Sequence, residues 1–176
     1  MRHARQTARL AKSIFDQTQE LHGLGRDARD LLEVAAVLHD IGYAISHTLH
    51  NKHAQYLIMN SELVGFSRRE LSIVGSLAGS HGGRGPKKKN AEYARLRPAD
   101  RQMVRQLTAI LTVADALDRS GRAAVDAVRV SLEPRLARFE IAPSRDCDLE
   151  VWDARRKAPA FERTFDVETE FVVRSP

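Results

Sequence analysis

The histidines and aspartates of this chain are ordered in a way that suits a metal centre. His3 lies near the start of a helical pattern, His39 and Asp40 end an apolar one, His50, His53 and His81 follow, and Asp115 sits inside a later apolar helix. Imidazole and carboxylate together are the ligand set of borderline transition metals, and an ion is the simplest reason to bring so many of them to one place. Consecutive helical residues diverge by about 100°, so His39 and Asp40 can close on one ion lying in the wedge between them. Gly42 follows at a helix-stop position, which puts the pair in the partly negative last turn, where a cation is favoured. His81 repeats the arrangement ahead of Gly82 and Gly83. Asp115 needs a partner, because burying a carboxylate unpaired is expensive.

Taken singly, each residue also has an ordinary reading. A histidine beside an apolar stripe is often just a hydrogen-bonded rim residue, and His22 and His47, in turn-like segments, are assigned that role. Asp115 could pair with Arg119, four residues on. Coincidence of the His-Asp pair, a histidine before a glycine break and an aspartate in an apolar helix is what argues for a shared ion. The loop from Gly82 to about Arg97 is basic and glycine-rich; Lys87 to Lys89 within it are either a solvated run or a phosphate-gathering one.

The elements that must hold these residues are legible as patterns. Ala4, Ala8, Ala11 and Phe15, broadened by Leu10, Ile14 and Leu21, predict an amphipathic helix over 4–21, and residues 27–41 a more buried one. A short helix is expected near 51–60, another after the capping-box pair Ser67 and Glu70, and a long one from Pro98 to about Asp118. From about residue 124 the period changes to two: a hairpin through Glu133-Pro134-Arg135, a helix over 148–165 interrupted near Pro159, and a last strand over 167–173. The expected class is mainly α, a helical body over 1–124 followed by a small α+β subdomain over 125–176.

Composition narrows the partners. With 28 Lys and Arg against 23 Asp and Glu, the net charge of +5 favours anionic partners. No stretch interleaves aromatics with basic residues as a base-stacking platform would, so nucleic acid is disfavoured and a phosphorylated small molecule or polyphosphate is preferred. The lone Cys147 rules out an internal disulfide, and no apolar run reaches the roughly 20 residues of a membrane span. A cytoplasmic location is expected.

Across VAAVLHDIGYAISHTLHNKHAQYLIMNSELVGFS, LHGL, ADALDRS and DLEVWDARRKAPAFERTF the chain resembles the HD-domain phosphohydrolase superfamily, and within it the C-terminal region of the exopolyphosphatase/guanosine pentaphosphate phosphatase (Ppx/GppA) family. The resemblance implies a helical HD bundle with a small α+β tail. It further implies that His3, His39, Asp40 and Asp115 surround one metal, with Asp40 bridging to a second held by His53 and His81 and with His50 as a neighbour. His39 and Asp40 are the implied catalytic pair. One or two divalent transition ions are expected, such as manganese, iron or nickel, or else magnesium. Lys52, Arg84, Lys87 and Arg119 are candidates to hold substrate phosphates. Two departures stand out: Asn51 occupies the place of a family histidine, and Gly79-Ser80-His81-Gly82 that of Arg-Tyr-His-Arg. The family's actin-like phosphatase domain is not in this sequence. The resemblance therefore implies a metal-dependent phosphohydrolase, or alternatively a non-catalytic polyphosphate-binding and dimerisation module, working as a homodimer or beside a separately encoded actin-like domain.

Overall fold

The donor residues lie on or at the ends of several different helices, and the packing of those helices is what positions them. The computed structural model describes residues 2–83, 85–86 and 90–174. Arg84 and Lys87, expected to hold phosphate, lie outside the described residues.

The first helix, α1 (Arg2–Gln17), buries Leu10, Ala11, Ile14 and Phe15 along one face. It stops earlier than its periodicity predicts, because the buried Thr18 hydroxyl donates to the Ile14 carbonyl at 2.8 Å and a separate turn, α2 (Gln19–His22), follows before Gly23 at φ +62°. Next, α3 (Arg26–Leu38) buries Leu31, Leu32, Ala35 and Ala36. Its pattern predicts continuation to residue 41; instead the chain tightens into a 3-10 turn over Ile41–Ala44, which turns the apolar side chains Ile41 and Ile45 outward. Helix α4 (His50–Met59) packs on that turn and on α5 (Arg68–Ser80), which opens on the expected Ser67/Glu70 capping box. Inside the segment read as loop, Asn90 accepts from the backbone N–H groups of Glu92 and Tyr93 and starts a short helix, α6 (Ala91–Arg95), whose Tyr93 is buried. The long helix α7 (Pro98–Ala116) is buried around its whole circumference from Leu107 to Ala114.

The chain then becomes a hairpin, β1 (Val125–Glu133) and β2 (Leu136–Pro143), antiparallel with Val130 opposite Phe139. Helices α8 (Asp148–Lys157) and α9 (Pro159–Phe165) cross over and lead to β3 (Glu168–Val173), which pairs parallel to β2, giving the order β1-β2-β3. The fold is thus mainly α with a small α+β portion. Phe139 stacks on Phe171 at 4.8 Å and meets Phe161 edge-on at 5.4 Å, so the sheet and α9 share one apolar cluster. Gln17 of α1 bonds the Val128 carbonyl (3.1 Å) and the Val130 amide (2.9 Å), tying the sheet to the helical body. Both α8 and α9 pack on α7, which sets the end of α8 beside Asp115. No helix among the described residues is long and apolar enough to cross a membrane.

Gly42 decides how closely the His39-Asp40 segment approaches α4. A Cβ there would stand 1.9 Å from the His50 carbonyl oxygen and 2.6 Å from the Ala54 nitrogen, both backbone atoms that cannot swing aside. Gly42→Ala is expected to cost at least the roughly 1–3 kcal/mol of an overpacked core. Thermal unfolding in the presence of a chelator should show a drop of several degrees. An unchanged melting temperature would mean that the turn does not contact α4 as described.

Candidate metal centre

Two helix ends of the same design point two histidines inward. His39 and His81 each sit at the first position after a helix, still in helical backbone conformation. In each, the ring Nδ1 lies on the carbonyl three residues back, Ala36 at 2.7 Å and Ala78 at 2.6 Å. A carbonyl only accepts, so Nδ1 carries the proton and Nε2 presents a bare lone pair. His3 is held in the same sense by Asp118, whose carboxylate accepts from Nδ1 at 2.9 Å while its other oxygen accepts from the Ala123 amide at 2.7 Å. His50, at the head of α4, donates from Nδ1 to the His47 carbonyl at 3.3 Å and stacks on Tyr43 at 4.3 Å. Anchoring one ring nitrogen to fix the other is how ligand histidines are commonly oriented.

The four Nε2 atoms meet around Asp40. Its Oδ2 lies 3.5 Å from His39 Nε2 and 3.6 Å from His3 Nε2; its Oδ1 lies 3.6 Å from His50 Nε2 and 3.8 Å from His81 Nε2. Asp115 Oδ1 closes the first group, 3.3 Å from His3 and 3.5 Å from His39. Bonds of about 2.0–2.2 Å to a shared ion would set neighbouring donors roughly 3–3.6 Å apart, so the spacing suits one ion in each group. His3, His39 and Asp115, and likewise His39, Asp40 and His81, offer ligand atoms lying within 4.8 Å of one another.

Of the residues expected from sequence, His3, His39, Asp40, His81 and Asp115 come together. His53 does not join them; His50 takes the place beside His81, their Nε2 atoms 3.3 Å apart. The two residues share a broad helix face, but three residues raise His53 about 4.5 Å along the axis, and only the first residue of α4 reaches the centre. Asn51 instead donates to the Gly79 carbonyl at 2.8 Å and joins α4 to α5. His22 is a satisfied core residue, bonded to the Phe15 carbonyl and the Leu24 amide. Asp115 does not pair with Arg119; its Oδ2 accepts from the Lys157 ammonium at 2.8 Å.

A cleft of about 350 Å³ opens onto the centre, lined by His3, Asp40, Tyr43, His50, Arg119 and Lys157 among others. Arg156 also lines it, bonded to Asp153 and lying over the Trp152 ring at 5.3 Å. A wider groove of about 810 Å³ shares His50 and His81 and is bordered by Lys52, Gln55 and Asn90. Asp118, Tyr43, Arg156 and Lys157 were not singled out by spacing. Asp118 had a local signal, being three residues beyond Asp115 in the ADALDRS segment; Lys157 had none, since its partner is 42 residues away.

Charge in the cluster is strongly interdependent. Burial disfavours charge on His3, but its bonds to Asp115 and Asp118 prevail and raise its pKa from 6.5 to about 10. Burial, together with the neighbouring His39, pushes His81 well below its ordinary value. Burial opposes ionisation of Asp115, yet His3, His39 and Lys157 hold its carboxyl far below the usual range. Burial and the two carboxylates Asp40 and Asp115 raise Tyr43, keeping its hydroxyl a donor. Around these side chains the chain matches the family model described as Ppx/GppA phosphatase, domain III, over residues 1–153.

In the chelated protein the two histidines should shape stability in opposite directions. His3 binds its proton more tightly folded than unfolded, so its contribution is complete below about pH 6.5 and is lost as pH rises through about 10. His81 binds its proton less tightly folded, so its contribution is present above pH 6.5 and declines as pH falls below that. Melting temperature against pH should therefore decline on both sides, and Asp118→Asn should flatten the alkaline limb. An alkaline limb identical in this variant would remove the role given to Asp118.

Proposed function

The chain belongs to the Ppx/GppA phosphatase family, matching its domain III, and from that premise we propose that it is an HD-type, metal-dependent phosphohydrolase acting on a phosphate ester or anhydride. The observation that carries the proposal is the common orientation of four imidazoles, each with Nδ1 anchored and Nε2 turned toward Asp40 or Asp115. Lone pairs and carboxylate oxygens crowded at these distances repel one another unless positive charge lies among them. His3, His39, Asp40 Oδ2 and Asp115 Oδ1 would hold one divalent ion; Asp40 Oδ1, His50 and His81 would hold a second. Such an ion, manganese, iron or nickel or else magnesium, supplies Lewis acidity that draws the pKa of water toward neutrality and offsets charge on phosphoryl oxygens.

The chain's own residues do the rest. Asp40 spans both donor groups and sets their spacing. Arg119 lines the cleft with a guanidinium fork suited to phosphate oxygens, Arg156 adds positive charge to the same wall while bonded to Asp153, and Tyr43 adds a neutral hydroxyl donor. Lys52 borders the adjoining groove, where the remainder of a nucleotide, guanosine polyphosphate or polyphosphate would extend. The competing reading is a non-catalytic module that binds polyphosphate or mediates dimerisation. It has no use for four histidines each anchored through Nδ1, which favours the enzyme.

Incubated with each metal in turn, the purified protein should release phosphate or a nucleoside monophosphate from at least one member of a nucleotide, guanosine polyphosphate and polyphosphate panel. His39→Ala should reduce kcat/KM about a thousandfold, equivalent to roughly 4 kcal/mol of transition-state stabilisation. The circular dichroism of that variant in chelator should match wild type. Metal uptake and tight polyphosphate binding without any hydrolysis would replace the enzyme reading with the module.

A further inference from the structure

We propose that Lys157 is a positioning residue of the metal centre, supplied by the C-terminal subdomain, which confines Asp115 to one ligand oxygen and holds the centre's cation affinity below what its carboxylates alone would produce. The inference rests on the metal-centre reading above. The Lys157 ammonium is buried, with a side-chain exposure of 8%, and sits between two carboxylates, Asp115 Oδ2 at 2.8 Å and Asp153 Oδ2 at 2.9 Å. Asp153 precedes it by one turn on α8, is itself fully buried, and is bonded through its other oxygen to Arg156. The lysine is therefore fixed by its own helix before it reaches α7.

The turn after His81 closes over the same side chain. Gly83 stands there at φ +86°, and a Cβ on it would come 3.3 Å from Lys157 Cγ. Three separate segments thus converge on one lysine side chain, α7 and α8 on its ammonium and the turn after α5 on its aliphatic stem. With Oδ2 of Asp115 engaged, Oδ1 is the oxygen that faces His3 and His39. Lys157 also lines the cleft, and it lies beyond residue 153, where the family match ends.

The sign of its effect distinguishes positioning from packing. Removing the ammonium leaves Asp115 and Asp153 buried without the cation they share, and a divalent ion then makes good the missing charge, so metal should bind more tightly. Asp115 would also be free to offer its second oxygen, raising the coordination number. A lysine that merely packed would, when removed, loosen the site and weaken metal binding.

Cobalt(II), titrated into the full chain and followed by its visible absorption, reads both effects without recourse to turnover. Lys157→Met should bind cobalt at least tenfold more tightly than wild type, with weaker visible bands as coordination number rises, and should melt at a lower temperature in chelator. Weaker or unchanged affinity would overturn the proposal, and so would tighter binding with the wild-type spectrum. Should Lys157→Met fail to fold, Lys157→Gln keeps an amide donor while losing the charge and should tighten binding in the same direction. Wild type that takes up no cobalt would instead sink the metal centre itself, and this inference with it.

Discussion

Crowding of like-natured donors at one point is the constraint to which the rest of the molecule answers. Four imidazole Nε2 atoms and the oxygens of Asp40 and Asp115 stand 3.3–3.8 Å apart, close enough that their lone pairs would push the elements carrying them away from one another. Three devices hold them. Helix ends anchor His39 and His81 through carbonyls of their own last turns. The buried Asp118 fixes His3, and Lys157 takes up the outer oxygen of Asp115. Positive charge in the middle, whether protons or metal, is what makes the arrangement tolerable.

That constraint explains why so many backbone features cluster here. Gly42 allows the turn after Asp40 to lie against the His50 carbonyl, and Gly83 leaves room for the Lys157 stem. The central helix α7 carries Asp115 at a position where its neighbours Val113, Ala114 and Ala116 are buried, and pays for that carboxylate with a lysine from another part of the fold. The C-terminal α+β portion contributes Arg156 and Lys157 to the wall of the cleft.

How much of this could be read beforehand follows the range of the interactions involved. Local rules worked: the Ser67/Glu70 box opens α5, Pro98 opens α7, and the period-two stretch after residue 124 is a hairpin. Glycine breaks after His39-Asp40 and His81 pointed to helix ends, and the structure brings those residues together. Where two candidates shared a face, as His50 and His53 do, spacing could not say which one the helix start would bring within reach. The helix α6 was hidden because its stabilising cap, Asn90, sits in a run that composition marks as loop. Lys157 in the segment DARRK reads as one more surface cation; its burial depends on α8 docking against α7, which no local pattern encodes.

The chain belongs to the Ppx/GppA phosphatase family, and the oriented donors are the ground on which we propose phosphate chemistry at a bound ion. The most direct check is elemental analysis of protein purified without chelator and without nickel affinity resin. The account predicts between one and two equivalents of transition metal per chain, lost in Asp40→Ala. Metal-free wild type that takes up no ion on dialysis against manganese, iron or nickel would contradict it.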